Sequence, residues 1–212
     1  MSRHSHRKEF NQLPLLKEHL LQNPFDQFSQ WFAEALKNQN EDPGAFVLSS
    51  CSAQHGPTSR VVLLREFSPE YFIFFTNYNS KKGKDIESNP KVSMLFFWPW
   101  IEQQIRIEGS AFKTDQAVSD AYFHSRPRAS RISAIISNQS EHLPEETDLQ
   151  EIYDYAMNTL CDSDIRRPEH WGGYKIIPER YEFWQGRPGR LHDRFEYSRS
   201  ENGQWVIKQL YP

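Results

Sequence analysis

The chain has 212 residues and a formal net charge of −3, with 25 Lys and Arg against 28 Asp and Glu. This length suffices for one sizeable core, and no Pro-, Gly- or Ser-rich linker divides the sequence. The acidic balance argues against a general nucleic-acid-binding surface, so the basic residues are expected to act locally. The two cysteines, Cys51 and Cys161, match neither a disulfide framework nor a zinc spacing, which indicates unpaired thiols in a reducing compartment.

No targeting, membrane or metal signal is evident. The N-terminus lacks the apolar run of a secretory signal, and the longest apolar stretch, 94–101, contains Pro99 and is too short to span a bilayer. We therefore expect a cytoplasmic protein without membrane contact. His4 and His6 lack a third ligand nearby, so no metal site is predicted.

The first half of the chain predicts one helix followed by closely spaced strands. Asn23-Pro24 is a capping residue before a first-turn proline, and apolar residues then recur at helical spacing, which predicts a helix over 24–38. Breaker-containing segments such as 54–57 separate the strands. An antiparallel meander that closes into a barrel fits this spacing better than a Rossmann fold, whose glycine fingerprint is missing. The strands are predicted at 45–52, 59–65, 71–77, 91–98 and 103–113.

A short helix is predicted after the third strand, with Ser80 as its N-cap. Its first turn carries Lys81 and Lys82, where the helix dipole ordinarily favours acidic residues. Backbone N–H groups and cations can share one anion, so a phosphate is the partner that would reconcile them. A solvated lysine run is the alternative, and this segment taken alone favours it.

The second half predicts helices and then strands. Helical signals begin at Asp115 and continue to about residue 125, and they recur over 127–136 and 147–161. Glu201-Asn202-Gly203 has the chemistry of a hairpin turn. The predicted architecture is therefore β-rich with helices packed around a barrel. The remaining strands are expected at 174–184, 194–199 and 205–210.

Residues 183–194 combine three arginines, a histidine, a tryptophan and an aspartate. If this stretch is extended, Arg190 and His192 project from one face, and their guanidinium and imidazole groups suit an anionic substrate. The alternative is the end of a strand whose charges form surface pairs.

Four segments, taken together and in order, resemble one known family, the pyridoxine/pyridoxamine 5′-phosphate oxidases. The similarity runs from about residue 7 to 212 and is nearly lost over 141–168. It implies a β-rich α+β fold, an antiparallel FMN-binding split barrel with surrounding helices, and a homodimer with FMN at the subunit interface. It also implies oxidation of pyridoxine or pyridoxamine 5′-phosphate to pyridoxal 5′-phosphate, with dioxygen reduced to hydrogen peroxide. The segments are Ser59-Arg60-Val61-Val62-Leu63-Leu64-Arg65, Tyr122-Phe123-His124-Ser125-Arg126-Pro127-Arg128, Phe183-Trp184-Gln185-Gly186 and Arg190-Leu191-His192-Asp193-Arg194.

The resemblance also implies roles for individual residues. Arg190 would orient the substrate ring and His192 would assist proton movement as the catalytic pair. The implied FMN-binding residues are Arg60, Val61, Val62, Leu63, Leu64, Arg65, Phe75, Thr76, Lys81, Lys82, Gln104, Gln139, Ser140, Trp184 and Arg194. The implied substrate-binding residues are Arg65, Tyr122, Arg126, Ser130, Arg190, Leu191 and His192, joined by Arg7, Lys8, Glu9 and Phe10 from an N-terminal lid.

Two structural expectations accompany these roles. Tyr122, Arg126 and Ser130 are spaced four apart and would share one face if this stretch is helical, ready for one phosphate, although Pro127 interrupts the pattern. Residues 1–22 are expected to form a flexible segment that can act as the lid, and 23–212 a single FMN-binding domain.

Three positions depart from the family pattern. Arg65 stands where many members have lysine, Lys81 where many have arginine, and Phe75 where many have tyrosine. The first two keep the charge but change its geometry, and the third removes a hydroxyl.

Three alternatives stay open: a related flavoprotein that oxidises phenazine precursors, a non-catalytic flavin-binding module, and a nucleic-acid binder that uses the basic residues near Lys81 and Arg126.

Overall fold

The computed structural model of the protein describes residues 9–38 and 41–212. The predicted lid residues Arg7 and Lys8 lie outside these ranges, as do His4 and His6. The helices are α1 (Pro24–Ala35), α2 (Lys81–Ser88), α3 (Gln116–Ser125), α4 (Arg128–Ile136) and α5 (Leu149–Thr159). The strands are β1 (Ala45–Ser52), β2 (Gly56–Leu63), β3 (Glu66–Phe67), β4 (Phe72–Asn77), β5 (Lys91–Trp98), β6 (Gln103–Lys113), β7 (Trp171–Gln185), β8 (Asp193–Arg199) and β9 (Trp205–Gln209).

These strands form one antiparallel sheet with the path β2-β1-β5-β6-β7-β4-β3, and β8 and β9 extend from β7. Helices surround this sheet, and the predicted split-barrel class is confirmed. The meander expected for the first five strands is wrong, because β1 pairs with β5 and β4 pairs with β7. Strand β7 organises the sheet because it pairs with β6 over Tyr174–Gln185, with β4 over Trp171–Ile176 and with β8 over Arg180–Gln185. A bulge lies between Glu108 and Gly109, where a Cβ on Gly109 would lie 2.1 Å from the Ile177 carbonyl oxygen.

Most predicted bounds are confirmed within a few residues, and β1, β5 and β6 match. Strand β2 begins at Gly56, inside the segment predicted to be a breaker. This is possible because β2 lies at one end of the sheet path, where a proline such as Pro57 need not donate to a further strand. The two-residue strand β3 was not predicted, since so short an element leaves no periodic signal.

Helix α1 closes one side of the main core. The Asn23 side chain accepts from the Phe25 backbone N–H, and Phe28, Trp31 and Ala35 form the buried face. The Phe28 ring lies 5.0 Å from Phe72 and 5.3 Å from Phe96, in edge-on contacts. A second apolar cluster, which includes Phe123, lies under α3, α4 and α5.

The segment before α1 packs against the sheet. Leu20 is buried, and the Tyr197 hydroxyl donates to the Leu21 carbonyl oxygen at 2.8 Å. The predicted division at residues 22 and 23 stays a prediction. Within the described ranges, no helix combines the length and apolar character needed to cross a membrane.

Removal of the Phe28 ring tests the role of α1. Phe28→Ala should lower the free energy of unfolding by about 3–5 kcal/mol, because a large cavity opens among packed rings. Phe112→Ala is the control, since that ring is 49% exposed, and it should cost much less. Chemical denaturation of both variants measures the difference, and equal losses would contradict this account of the core.

Candidate functional site

A cleft of about 1220 Å³ lies between β2, β4, the start of α2 and the helices α3 to α5. It gathers residues from both of the predicted ligand sets. From the predicted FMN set it is lined by Arg60, Val61, Val62, Leu63, Arg65, Phe75, Thr76, Lys81, Lys82, Gln139 and Ser140, and from the predicted substrate set by Arg65, Tyr122 and Arg126.

Lys82 is the most deeply placed cation of this cleft. Its side chain is buried, and Nζ donates to Gln139 Oε1 at 2.8 Å, to Thr76 Oγ1 at 3.1 Å and to Ser80 Oγ at 3.2 Å. Burial, with a further contribution from the positive charge of Arg60, lowers the pKa of Lys82 to about 8. Lys81 is exposed to solvent, but Lys82 is buried in the cleft wall. The alternative of a solvated lysine run therefore does not hold for Lys82.

Arg60 is fixed by the β1–β2 hairpin. Its Nη1 donates to Ser50 Oγ at 2.8 Å and to the Leu48 carbonyl oxygen at 3.2 Å, and its Nη2 donates to Thr58 Oγ1 at 2.5 Å. Burial lowers the pKa of Arg60, and the nearby carboxylate of Asp85 opposes that shift. The guanidinium is thus held rigidly while it lines the cleft.

A second part of the cleft, around Arg126, combines a cation with aromatic rings. The guanidinium of Arg126 lies 4.6 Å from the ring centroid of Trp171. Its Nη1 is buried and has no hydrogen-bond partner among the described residues. The rings of Phe75 and Tyr122 stack at 3.8 Å between centroids. An anion beside Arg126 would satisfy the unpartnered N–H, which is expensive to leave buried alone.

Tyr122, Arg126 and Ser130 do not share one helical face. Helix α3 ends at Ser125, and Pro127 precedes α4, so no continuous helix joins the three residues. The residue before a proline avoids helical backbone, and Arg126 has φ −75° and ψ 149°. Tyr122 and Arg126 still line the cleft, whereas Ser130 does not.

The remaining predicted site residues form a second group around the ends of β6, β7 and β8. Gln104 on β6 pairs in register with Trp184 on β7, and Trp184 pairs with Arg194 on β8. The rings of Trp184 and His192 lie 4.6 Å apart. Phe10 meets Trp184 edge-on at 5.6 Å and His192 at 5.3 Å.

Other contacts bring the N-terminal segment to this group. The Asn11 backbone N–H donates to Glu102 Oε2, and that of Leu15 to Asp193 Oδ2, both at 2.9 Å. Glu9 is exposed beside Phe10. The predicted lid segment, from residue 9 onward, therefore packs over the aromatic group of the C-terminal region.

The stretch around Arg190 and His192 is not extended, so the condition for a shared face is not met. Pro188–Arg190 form a 3₁₀ turn, and Arg190 has φ +62°. Gly189 within this turn is also at positive φ, so side chains do not alternate along it. Arg190 and Leu191 are exposed, and the left-handed backbone of Arg190 is a strained conformation of the kind that clusters at functional sites.

The backbone N–H of Arg187 orients the ring of His192. Its Nδ1 accepts from the Arg187 backbone N–H at 3.2 Å, so the neutral ring carries its proton on Nε2. Burial, together with the charge of Arg190, lowers the pKa of His192, although Asp193 opposes this. These effects favour the neutral imidazole, which presents an N–H donor at Nε2.

Neither Arg194 nor Leu64 reaches the cleft of its own chain. Arg194 Nε donates to the buried Glu182 at 2.8 Å, and Leu64 is a buried core residue. Gln104, Trp184, Arg190, Leu191 and His192 are likewise absent from the lining.

The two groups are separated along β7. Trp171, which lines the cleft, begins this strand, and Trp184 lies near its end. At a rise of about 3.3 Å per residue, the path between them is roughly 40 Å. One copy of the chain therefore holds two groups of predicted site residues at different places.

Sequence reasoning missed several residues of the cleft wall. Thr58 and Ser59 directly precede Arg60, so the strand pattern could have included them. Trp171 and Tyr153 come from segments where no motif marks them, and only the fold brings them to the cleft. Among the described residues, no group of three or more His, Cys, Asp or Glu side chains is arranged to hold a metal ion.

The chain is similar to known proteins over most of its length. Residues 32–151 match the family model described as pyridoxamine 5′-phosphate oxidase, and 171–212 match the pyridoxine 5′-phosphate oxidase C-terminal dimerisation region. The chain is 46% identical over 211 residues to pyridoxine/pyridoxamine 5′-phosphate oxidase 1 of Hydrogenovibrio crunogenus, covering 99% of this chain and 97% of the relative. It is 42% identical over 216 residues to pyridoxine-5′-phosphate oxidase of Dictyostelium discoideum, covering 97% and 92%.

A solved structure is also similar over nearly the whole chain. PhzG from Burkholderia lata, crystallised with tetrahydrophenazine-1-carboxylic acid, superposes with a TM-score of 0.84 at 25% identity, covering 97% of this chain and 100% of that one. The chain thus belongs to the pyridoxine/pyridoxamine 5′-phosphate oxidase family of FMN-dependent oxidoreductases. This membership sets aside the non-catalytic flavin module.

The cleft fits FMN on its own chemistry. Arg60, Lys81 and Lys82 supply charge for a phosphate, while the exposed side chains of Val61 and Leu63 supply an apolar edge. Phe75, which stands where many family members have tyrosine, lacks the tyrosine hydroxyl. The Thr76 hydroxyl and the Gln139 amide, which are hydrogen-bonded to each other, provide polar groups nearby.

The pKa of Lys82 predicts a pH dependence of FMN binding. As pH rises through about 8, Lys82 loses the proton that favours a bound phosphate, so FMN affinity should fall. With this lowered pKa, we expect about a tenfold loss between pH 7 and pH 9. Quenching of flavin fluorescence measures the affinity.

Lys82→Met is the matched control for this titration. It should bind FMN more weakly at pH 7 and show little further loss up to pH 9. The same decline in Lys82→Met as in the unaltered protein would assign the pH dependence to another group.

Proposed function

We propose that the protein catalyses the FMN-dependent oxidation of pyridoxine 5′-phosphate or pyridoxamine 5′-phosphate to pyridoxal 5′-phosphate, with dioxygen as electron acceptor and hydrogen peroxide as product. The observation that carries this proposal is the cleft, where a cationic wall around Arg60 and Lys82 adjoins a second cationic and aromatic region around Arg126. Two phosphorylated heterocycles are the ligands that such a pair of regions suits.

The chain's residues divide between these two ligands. Arg60, Lys81 and Lys82 hold the FMN phosphate in this proposal, and FMN when bound supplies the redox chemistry. Arg65, Tyr122 and Arg126 hold the substrate phosphate. Arg65 lies close enough to lower the pKa of Arg126 further, after the larger effect of burial, so an anion between them relieves the repulsion of like charges.

A second copy of the chain completes the site in this proposal. The group around Trp184, His192 and Arg194 lies within 171–212, the part that matches the dimerisation region of the family. It is separate from the cleft of its own chain, so a homodimer can present it to the partner's cleft, with FMN between the two copies. Gln104 and Trp184 then serve the flavin, and Arg190 and His192 approach the substrate.

Arg190 and His192 have different tasks at the reacting end. Arg190 is permanently charged and exposed, so it orients the polar substituents of the substrate ring. His192 is neutral and holds a proton at Nε2, because its Nδ1 accepts from the backbone. It therefore acts first as a hydrogen-bond donor to the oxygen or nitrogen of the reacting substituent.

The N-terminal segment covers this end in the same proposal. Phe10 already packs against both Trp184 and His192. Ordered aromatic contacts of this kind exclude water from the reacting atoms when the segment, with Glu9 beside Phe10, closes over the substrate.

Oxidation of a phenazine precursor is the second candidate. The similarity to PhzG, at a TM-score of 0.84, favours it. Such a substrate, however, brings a carboxylate in place of a phosphate, and it would leave the cationic region of Arg65 and Arg126 less well neutralised. Peroxide release with each substrate distinguishes the two functions.

Arg190→Ala tests the proposed reaction and the role of this residue. The loss of one charge-assisted contact should lower kcat/KM for pyridoxine 5′-phosphate roughly 10- to 150-fold. Arg199→Ala is the control, because Arg199 lies at the far end of β8 and its guanidinium packs 4.3 Å from the ring centroid of Trp205 on β9. Peroxide production in air gives the rates.

Two results would contradict this account. Arg190→Ala with unaltered kcat/KM would remove the residue from the reacting end. A higher kcat/KM for tetrahydrophenazine-1-carboxylic acid than for pyridoxine 5′-phosphate would favour the second candidate.

A further inference from the structure

Asp85 is a buried carboxylate that lies behind the cleft wall and outside the set of predicted site residues. It extends from α2 to the β1–β2 hairpin, and its side chain is fully buried. Three hydroxyls and one imidazole surround it. Ser50 Oγ donates to Oδ2 at 2.8 Å, Thr58 Oγ1 to Oδ2 at 2.9 Å, and Ser52 Oγ to Oδ1 at 2.8 Å, while His55 Nδ1 lies 2.7 Å from Oδ1.

These contacts keep Asp85 ionised. Burial alone would raise the pKa of its carboxyl, but the hydrogen bonds from His55, Ser52, Ser50 and Thr58 together lower it well below its usual range. An ionised carboxylate only accepts, so each neighbouring hydroxyl must turn its single proton toward Asp85.

The direction of those protons matters for Arg60. Ser50 and Thr58 are the two hydroxyls that also contact its guanidinium, at 2.8 and 2.5 Å. Because their protons are directed to Asp85, their lone pairs face Arg60 and accept from it. If either hydroxyl rotated, its proton would oppose an N–H group, and the guanidinium would lose its fixed place in the wall.

We propose that Asp85, through Ser50 and Thr58, is a positioning residue that holds Arg60 in the orientation needed to bind the phosphate of FMN. The carboxylate fixes the hydroxyls, the hydroxyls fix the guanidinium, and the guanidinium faces the cleft. This inference rests on the proposed function, in which Arg60 serves that phosphate.

Comparison of Ser52 with Ser50 distinguishes the positioning role of Asp85 from a role in which Asp85 only stabilises the fold. It lies on β1 two residues after Ser50, is buried like Ser50, and donates to the same carboxylate. Within the described part of the chain, the Arg60 guanidinium donates to Ser50, Thr58 and the Leu48 carbonyl oxygen and not to Ser52. If Asp85 only ties α2 to the hairpin, the two serines should be equivalent.

The experiment compares Ser50→Ala with Ser52→Ala in full-length apoprotein. Riboflavin and FMN differ by the phosphate, so the ratio of their dissociation constants reports phosphate binding alone. Because Ser50→Ala removes the hydroxyl that accepts from the Arg60 guanidinium, it should reduce the preference for FMN about 5- to 20-fold, and Ser52→Ala less than about twofold. Riboflavin affinity should be the same in both variants.

A second pair keeps the test decisive if Ser50→Ala fails to fold. Thr58→Val should lose the preference for FMN, and Thr58→Ser, which restores the hydroxyl, should recover it. Equal preferences in Ser50→Ala and Ser52→Ala, or in Thr58→Val and Thr58→Ser, would overturn the positioning role. An unaltered protein that binds riboflavin as tightly as FMN would instead overturn the proposed use of Arg60.

Discussion

The length and pairing of β7 constrain everything else in this molecule. Its first residues, from Trp171, pair with β4 and border the cleft, and its last residues, to Gln185, pair with β8 and carry the aromatic group of the C-terminal region. A continuous paired strand cannot fold back on itself, so these two ends stay apart. A site that needs both ends must therefore be built from two copies of the chain.

The second organising feature is positive charge inside a chain whose net charge is −3. Lys82 is buried, and both Arg60 and Arg126 are partly desolvated. Hydroxyls, amides and aromatic faces partner these cations at the cleft, while the carboxylate of Asp85 lies one layer behind. Such an arrangement leaves the cleft ready for anions, because the groups nearest the cations are neutral.

The sequence predicts the elements of this fold better than its irregular segments. Strands β1, β5 and β6 alternate regularly, so their bounds follow from the pattern. The conformation of Arg190 does not, because a turn through Pro188 and Gly189 replaces the extended backbone that the same-face argument assumed. Helix α3 likewise ends at Ser125 and Pro127 precedes α4, so Tyr122 and Ser130 do not lie on one helical face.

The residue types of the candidate site could be predicted, but their grouping could not. The family resemblance assigns both Arg60 and Arg194 to FMN. Their positions in the sequence do not reveal that Arg60 lines the cleft of its own chain and that Arg194 lies outside that cleft. Asp85 was missed for a related reason. Its role depends on a contact between a helix and the strand of Ser50, 35 positions away, and a lone aspartate in a short helix gives no signal of it.

The claim that two copies share each site can be measured by mixing two inactive variants. Arg60→Ala damages the cleft, and Arg190→Ala damages the reacting end. In a mixed dimer with shared sites, one site carries both changes and the other carries neither. Random pairing makes half of the dimers mixed, so co-expression should restore about a quarter of the unaltered activity. Activity no higher than that of the two variants alone would contradict the shared site and place all the chemistry within one chain.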